Sequence, residues 1–195
     1  MLLQEIRAKE IIDFIQTLPQ VKSCLLYGSL ADGRADKLSD IDIKIDVSGF
    51  DNGMFMKNLP NIIAAEFNVL WYDYAQSLAP EQYIVSVAID DNCPFCIVDF
   101  NCTSVPHLTT VQKNGLENNM FIHILKLWIA NCKHYIRGAN YSSDIRKMGR
   151  KCIGTVSEEM TDFQIIEEVL NRLESNAPIE LENYILNCRK AWENR

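Results

Sequence analysis

Leu25 to Val47 reads LLYGSLADGRADKLSDIDIKIDV. An apolar run, Cys24 to Tyr27, enters Gly28-Ser29, and ten mostly polar or small residues, Leu30 to Ser39, lead to Asp40-Ile41-Asp42. The segment beyond alternates strictly. Ile41, Ile43, Ile45 and Val47 fall on one side of a strand and Asp40, Asp42, Lys44 and Asp46 on the other, because strand side chains alternate with period 2. The stretch therefore predicts strand, turn, strand, with the apolar side on a core. Asp40 and Asp42 stand ~6.5 Å apart at the usual strand rise and repel each other. A hard divalent cation such as Mg2+, which takes carboxylate and phosphate oxygens together, relieves that repulsion. Glycine lets the backbone approach a ligand closely, and a Gly-Ser turn offers amides and a hydroxyl to phosphate oxygens.

Gly28 and Gly33 have the spacing of an NTPase phosphate loop, but Arg34-Ala35 replaces the Lys and Ser/Thr, and an acidic strand follows where a helix belongs. An ordinary hairpin with an acidic exposed face explains the charges but not the Gly-Ser at that distance from the acid pair.

The combination of Gly28-Ser29, the ten-residue spacer and Asp40-Ile41-Asp42 resembles the signature of the DNA polymerase β-like nucleotidyltransferase superfamily. Ser39, ahead of the first aspartate, is similar to the pattern of its small antibiotic-modifying members. The resemblance implies an α+β fold, with a small mixed β-sheet carrying helices on one face, followed by a C-terminal α-helical bundle. It places a catalytic domain at 1–110 and a helical bundle domain at 111–195. It implies that Asp40 and Asp42 hold metal, Mg2+, and that Gly28 and Ser29 bind the phosphates of an NTP, with ATP the donor and AMP the transferred group. It also supplies a role for Asp99, a lone acid in an apolar strand, as the third carboxylate of the metal site and a catalytic residue.

Composition narrows the acceptor. The net charge of −7 is uneven: residues 1–105 carry 7 Lys+Arg against 15 Asp+Glu, and residues 106–195 carry 12 against 11. A chain gripping a nucleic-acid backbone needs a basic stripe, so the expectation is no nucleic-acid partner. An acidic cleft favours a small cationic acceptor, and the resemblance to the small antibiotic-modifying members implies an aminoglycoside or lincosamide and a role in antibiotic resistance. The alternatives are a protein hydroxyl, as in the nucleotidyltransferases of toxin–antitoxin pairs, and a degenerate module that binds nucleotide without chemistry. No apolar run reaches the length of a membrane span, and acids interrupt the apolar N-terminus, unlike a signal peptide. Seven cysteines without framework spacing read as reduced thiols, and the expected location is cytoplasmic. Cys93, Cys96, Cys102 and His107 match no common zinc spacing and read as small buried side chains.

Along the chain, residues 2–18 have helical periodicity, and Pro19 stops it. Strands are expected over Val21–Tyr27 and Ile41–Val47, with a helical turn in the spacer. Met54 to Leu59 is ambiguous and closed by Pro60, and 61–78 reads as helix into strand. Tyr83–Ile89 and Phe95–Asn101 form a hairpin around Asp90-Asp91-Asn92-Cys93-Pro94. From Glu117 the period is helical, ending at Arg137-Gly138. Further helices start near Ser143-Asp144, at the Thr161/Gln164 capping box and after Pro178. Seven basic residues against one acid fall between Lys126 and Lys151. Lys126, Lys133 and Arg137, spaced by seven and four, share a helix face and are expected to bind the nucleotide. His123 reads as a core histidine.

Overall fold

The computed structural model describes residues 2–75, 83–112 and 115–195; the end of the helix-to-strand segment expected over 61–78 lies outside them. The chain splits into two compact units, Met1–Asp90 with Phe95–Asn118, and Asp91–Pro94 with Asn119–Arg195. The architecture is α+β: a mixed sheet with helices, then a helical bundle.

The first unit is organised by the alternating strand. Strand β2 (Ile41–Asp46) buries Ile41, Ile43 and Ile45 completely and leaves Asp42, Lys44 and Asp46 on the other face. Strands β1 (Ser23–Tyr27), β3 (Trp71–Tyr74), β4 (Tyr83–Ala88) and β5 (Ile97–Thr103) complete a five-stranded sheet in the order β1-β2-β5-β4-β3. Among the described residues only the β2–β5 pair is parallel. Helices α1 (Leu3–Ile15) and α3 (Asn52–Ala64) cover the isoleucine side, contributing Ile11, Ile15, Met56, Leu59 and Ile63 to the core. The edge of β3 is closed by a side chain. The Tyr74 amide donates to Asn118 Oδ1 and Asn118 Nδ2 donates to the Tyr74 carbonyl, both at 2.8 Å, as a neighbouring strand would.

Pro60 does not end a helix. Helix α3 runs through it, although proline cannot donate to the carbonyl four residues back, Met56 O. Tyr74 Oη replaces the missing donor, lying 3.2 Å from Met56 O and 3.1 Å from Lys57 O.

The second unit contains α4 (Met120–Ile136), α5 (Ser142–Ile153), α6 (Asp162–Ser175), a 3-10 turn (Ile179–Leu181) and α7 (Glu182–Glu193). Thr161 and Gln164 form the expected capping box, and Arg137-Gly138 closes α4 with Gly138 at φ +70°. Trp128 and Trp192 meet edge to face at 6.4 Å in the bundle core, and Trp128 Nε1 donates to Ile166 O. A Cβ on Gly149 would lie 2.6 Å from Ile165, so α5 and α6 cross where only glycine fits. His123 is not a core residue: it is half-buried, and its Nε2 lies 3.0 Å from Lys151 Nζ.

Candidate active site

The loop that delivers Asp40 is tied down residue by residue. Asp36 Oδ1 accepts from the Leu38 amide and from Ser39 Oγ, and Ser39 Oγ accepts in turn from the Asp36 amide. Buried Gln4 of α1 donates to the carbonyls of Lys37 and Ser39. Ser39 thus serves as a knot in the backbone. Asp40 follows it, half-exposed, one strand period ahead of Asp42.

Gly28 begins a single helical turn, α2 (Gly28–Ala31), at φ +69°, where side chains are disfavoured. A Cβ there would meet Asp42 Oδ2 at 2.2 Å. Glycine is therefore demanded twice, by the turn and by the carboxylate packed against it.

Strand register assembles the rest. Tyr27 is opposite Asp42, Asp42 opposite Asp99, Asp99 opposite Ser86, and Ser86 opposite Asp73. Register partners point to the same face, so these five residues, one per strand, form a polar row across the sheet. Asp42 and Asp99 sit on adjacent strands ~4.8 Å apart. Ser86 Oγ donates to Asp99 Oδ1. On the other flank, burial pushes the Tyr27 phenol above its ordinary pKa and the Asp42 charge adds to the rise, while a hydrogen bond from the Asn101 side chain opposes it. Asn101 Oδ1 is buried and accepts no hydrogen bond.

Among the described residues, no three of His, Cys, Asp and Glu already converge on a metal position. Asp40, Asp42 and Asp99 nevertheless supply the oxygen donors a hard divalent cation takes, with the orphaned Asn101 oxygen two residues beyond Asp99. The donor set fits such an ion.

Lys126, Lys133 and Arg137 all lie on α4 or at its C-terminal cap. Lys133 is only 3% exposed, Lys126 is half-buried and Arg137 is exposed. Of the other cations, Arg146 donates to the carbonyls of Ser157, Glu158 and Met160, which assigns it to the loop between α5 and α6. Tyr27, Ser86, Asp73 and Asn101 were not singled out from the sequence. Ser86 alone left a signal there, as a small polar residue set between Val85 and Val87 in β4.

The arrangement brings Gly28, Asp42 and Asp99 together on one face of the sheet. Residues 9–84 match the family model described as "Polymerase beta, Nucleotidyltransferase". That match covers less than half of the chain; it includes Gly28, Ser29, Asp40 and Asp42 and stops short of Asp99. Two solved structures are similar to the chain, a GLD-2/RNP-8 complex and the non-canonical poly(A) polymerase complex GLD-2–GLD-3, each at 16% identity and TM-score 0.38 over 98% of this chain. The chain spans 62% and 58% of their respective lengths. Among curated proteins none matches it significantly. No helix among the described residues is long and apolar enough to cross a membrane.

Proposed function

We propose that the chain transfers a nucleoside monophosphate, AMP, from an Mg2+-bound NTP to a hydroxyl of a small cationic acceptor of the aminoglycoside or lincosamide kind. The observation that carries the reading is the register that sets Asp42 beside Asp99, with Gly28 packed against Asp42. Asp40, Asp42 and Asp99 would hold the ion, which when bound neutralises phosphate charge. Asp99 takes the proton of the acceptor hydroxyl as its oxygen attacks the α-phosphorus. A new O–P bond forms, the bond to the bridging oxygen of the β-phosphate breaks, and pyrophosphate leaves. Gly28 and Ser29 bind the terminal phosphates. Lys126, Lys133 and Arg137 are proposed as nucleotide-binding cations on their charge and helical spacing. The acidic balance of residues 1–105 supports a cationic acceptor and opposes a nucleic acid.

Incubation with ATP labelled at the α- or the γ-phosphate, with a panel of aminoglycosides and lincosamides, tests this. Label from the α position only should reach a small acceptor, and Asp42→Asn should abolish the transfer. Label on a polypeptide would make the acceptor a protein. Extension of an RNA would refute the claim that no nucleic acid is used, and bound nucleotide without transfer to any acceptor would identify a non-catalytic module.

A further inference from the structure

Ser86 is 1% exposed, and its hydroxyl donates to Asp99 Oδ1. Serine is an unfavoured choice for this position. β4 is otherwise Tyr83, Ile84, Val85, Val87 and Ala88, and a buried hydroxyl costs stability unless it is bonded. What the serine does lies across the strand pair. Asp99 is flanked in register by Ser86 on β4 and by Asp42 on β2. Like charges on adjacent strands repel, so an Asp99 carboxylate free to rotate would turn both oxygens out of line with Asp42, whereas a bond to one oxygen from the β4 side fixes that rotation. We infer that Ser86 is a positioning residue, whose hydroxyl holds one oxygen of Asp99 on the β4 side and leaves the other facing Asp42 for a shared divalent ion. This rests on the proposed role of Asp99 as a metal-holding carboxylate.

Groups that orient metal ligands from behind typically contribute about 10–100-fold in metal affinity. The test is Mn2+ affinity in the presence of ATP, followed by electron paramagnetic resonance on the full chain, together with the melting temperature of each metal-free variant. Ser86→Ala should weaken Mn2+ binding about 10-fold or more, and Ser86→Thr, which keeps the hydroxyl, should restore most of the loss. Asp42→Asn serves as the reference for a lost ligand. If Ser86→Ala melts lower but binds Mn2+ as the wild type does, while Asp42→Asn loses binding, the serine is structural and the inference fails alone. If Asp42→Asn also binds as the wild type does, the metal reading fails and the inference with it.

Discussion

Gly28 is the residue at which backbone conformation and site chemistry meet. An alanine there must adopt a left-handed backbone, at a cost of about 1–3 kcal/mol, and its Cβ falls 2.2 Å from Asp42 Oδ2. One of the two must move. Gly28→Ala should therefore lose NTP binding and melt several degrees lower, whereas Gly33→Ala, also at positive φ but with nothing within 4 Å, should lose stability while keeping the site. Titration calorimetry with ATP and a divalent ion separates the two, and undiminished binding by Gly28→Ala would contradict the packing argument. That Gly28 is a special position was legible in the sequence, because it rests on neighbours in the chain: a Gly-Ser turn and an acid pair at fixed spacing. Ser86, Asp73 and Tyr27 were not legible in the same way. They reach the site through register, and register depends on which strands pair, a fact no local window contains.

At the scale of elements, α3 shows long-range chemistry overriding a local rule. Proline predicts a helix end, yet Tyr74 Oη, from a strand, supplies a donor to the carbonyls of Met56 and Lys57. Tyr74→Phe should destabilise the first unit by about 1–3 kcal/mol through buried carbonyls left unsatisfied. Pro60→Ala, which restores an amide to Met56 O, should recover part of that loss in the double variant. Chemical denaturation of the four chains gives the coupling directly, and strictly additive effects would show that the phenol does not compensate the proline. The strands were legible where alternation was strict, as in Ile41–Asp46, and the parallel β2–β5 pairing was not, because it needs a crossover spanning β3 and β4. His123 illustrates the limit on helices: periodicity set it among apolar neighbours, but the buried stripe of α4 does not reach it.

For the whole molecule, acid should unfold what neutral pH holds. Ser48 donors hold Asp46 below the usual carboxylate range. Burial pushes Asp51 and Glu167 up, but donors from Thr110 and Met54 in one case, and from Trp192 and Arg189 in the other, outweigh it and hold both low. A carboxyl whose pKa is lowered on folding stabilises above its unfolded pKa, and that contribution is lost as pH falls through the folded value. With ordinary values of 3.8 for aspartate and 4.5 for glutamate, the melting temperature should hold from neutrality to about pH 5 and fall below pH 4.5. Asp51→Asn should be less stable than the wild type at pH 7, by a margin that shrinks toward pH 3. A margin independent of pH would contradict this assignment. Whether the row through Asp42 and Asp99 binds a metal–nucleotide is read from the melting temperature with each of the four NTPs, with and without Mg2+, for the wild type and Asp42→Asn. Ligand at 100 times its dissociation constant adds about 2.7 kcal/mol, a shift of several degrees. The expected result is a rise with at least one NTP that requires Mg2+ and is absent in Asp42→Asn, whose metal-free form stays folded. A rise that survives Asp42→Asn unchanged, or no rise with any NTP, would contradict binding by this row.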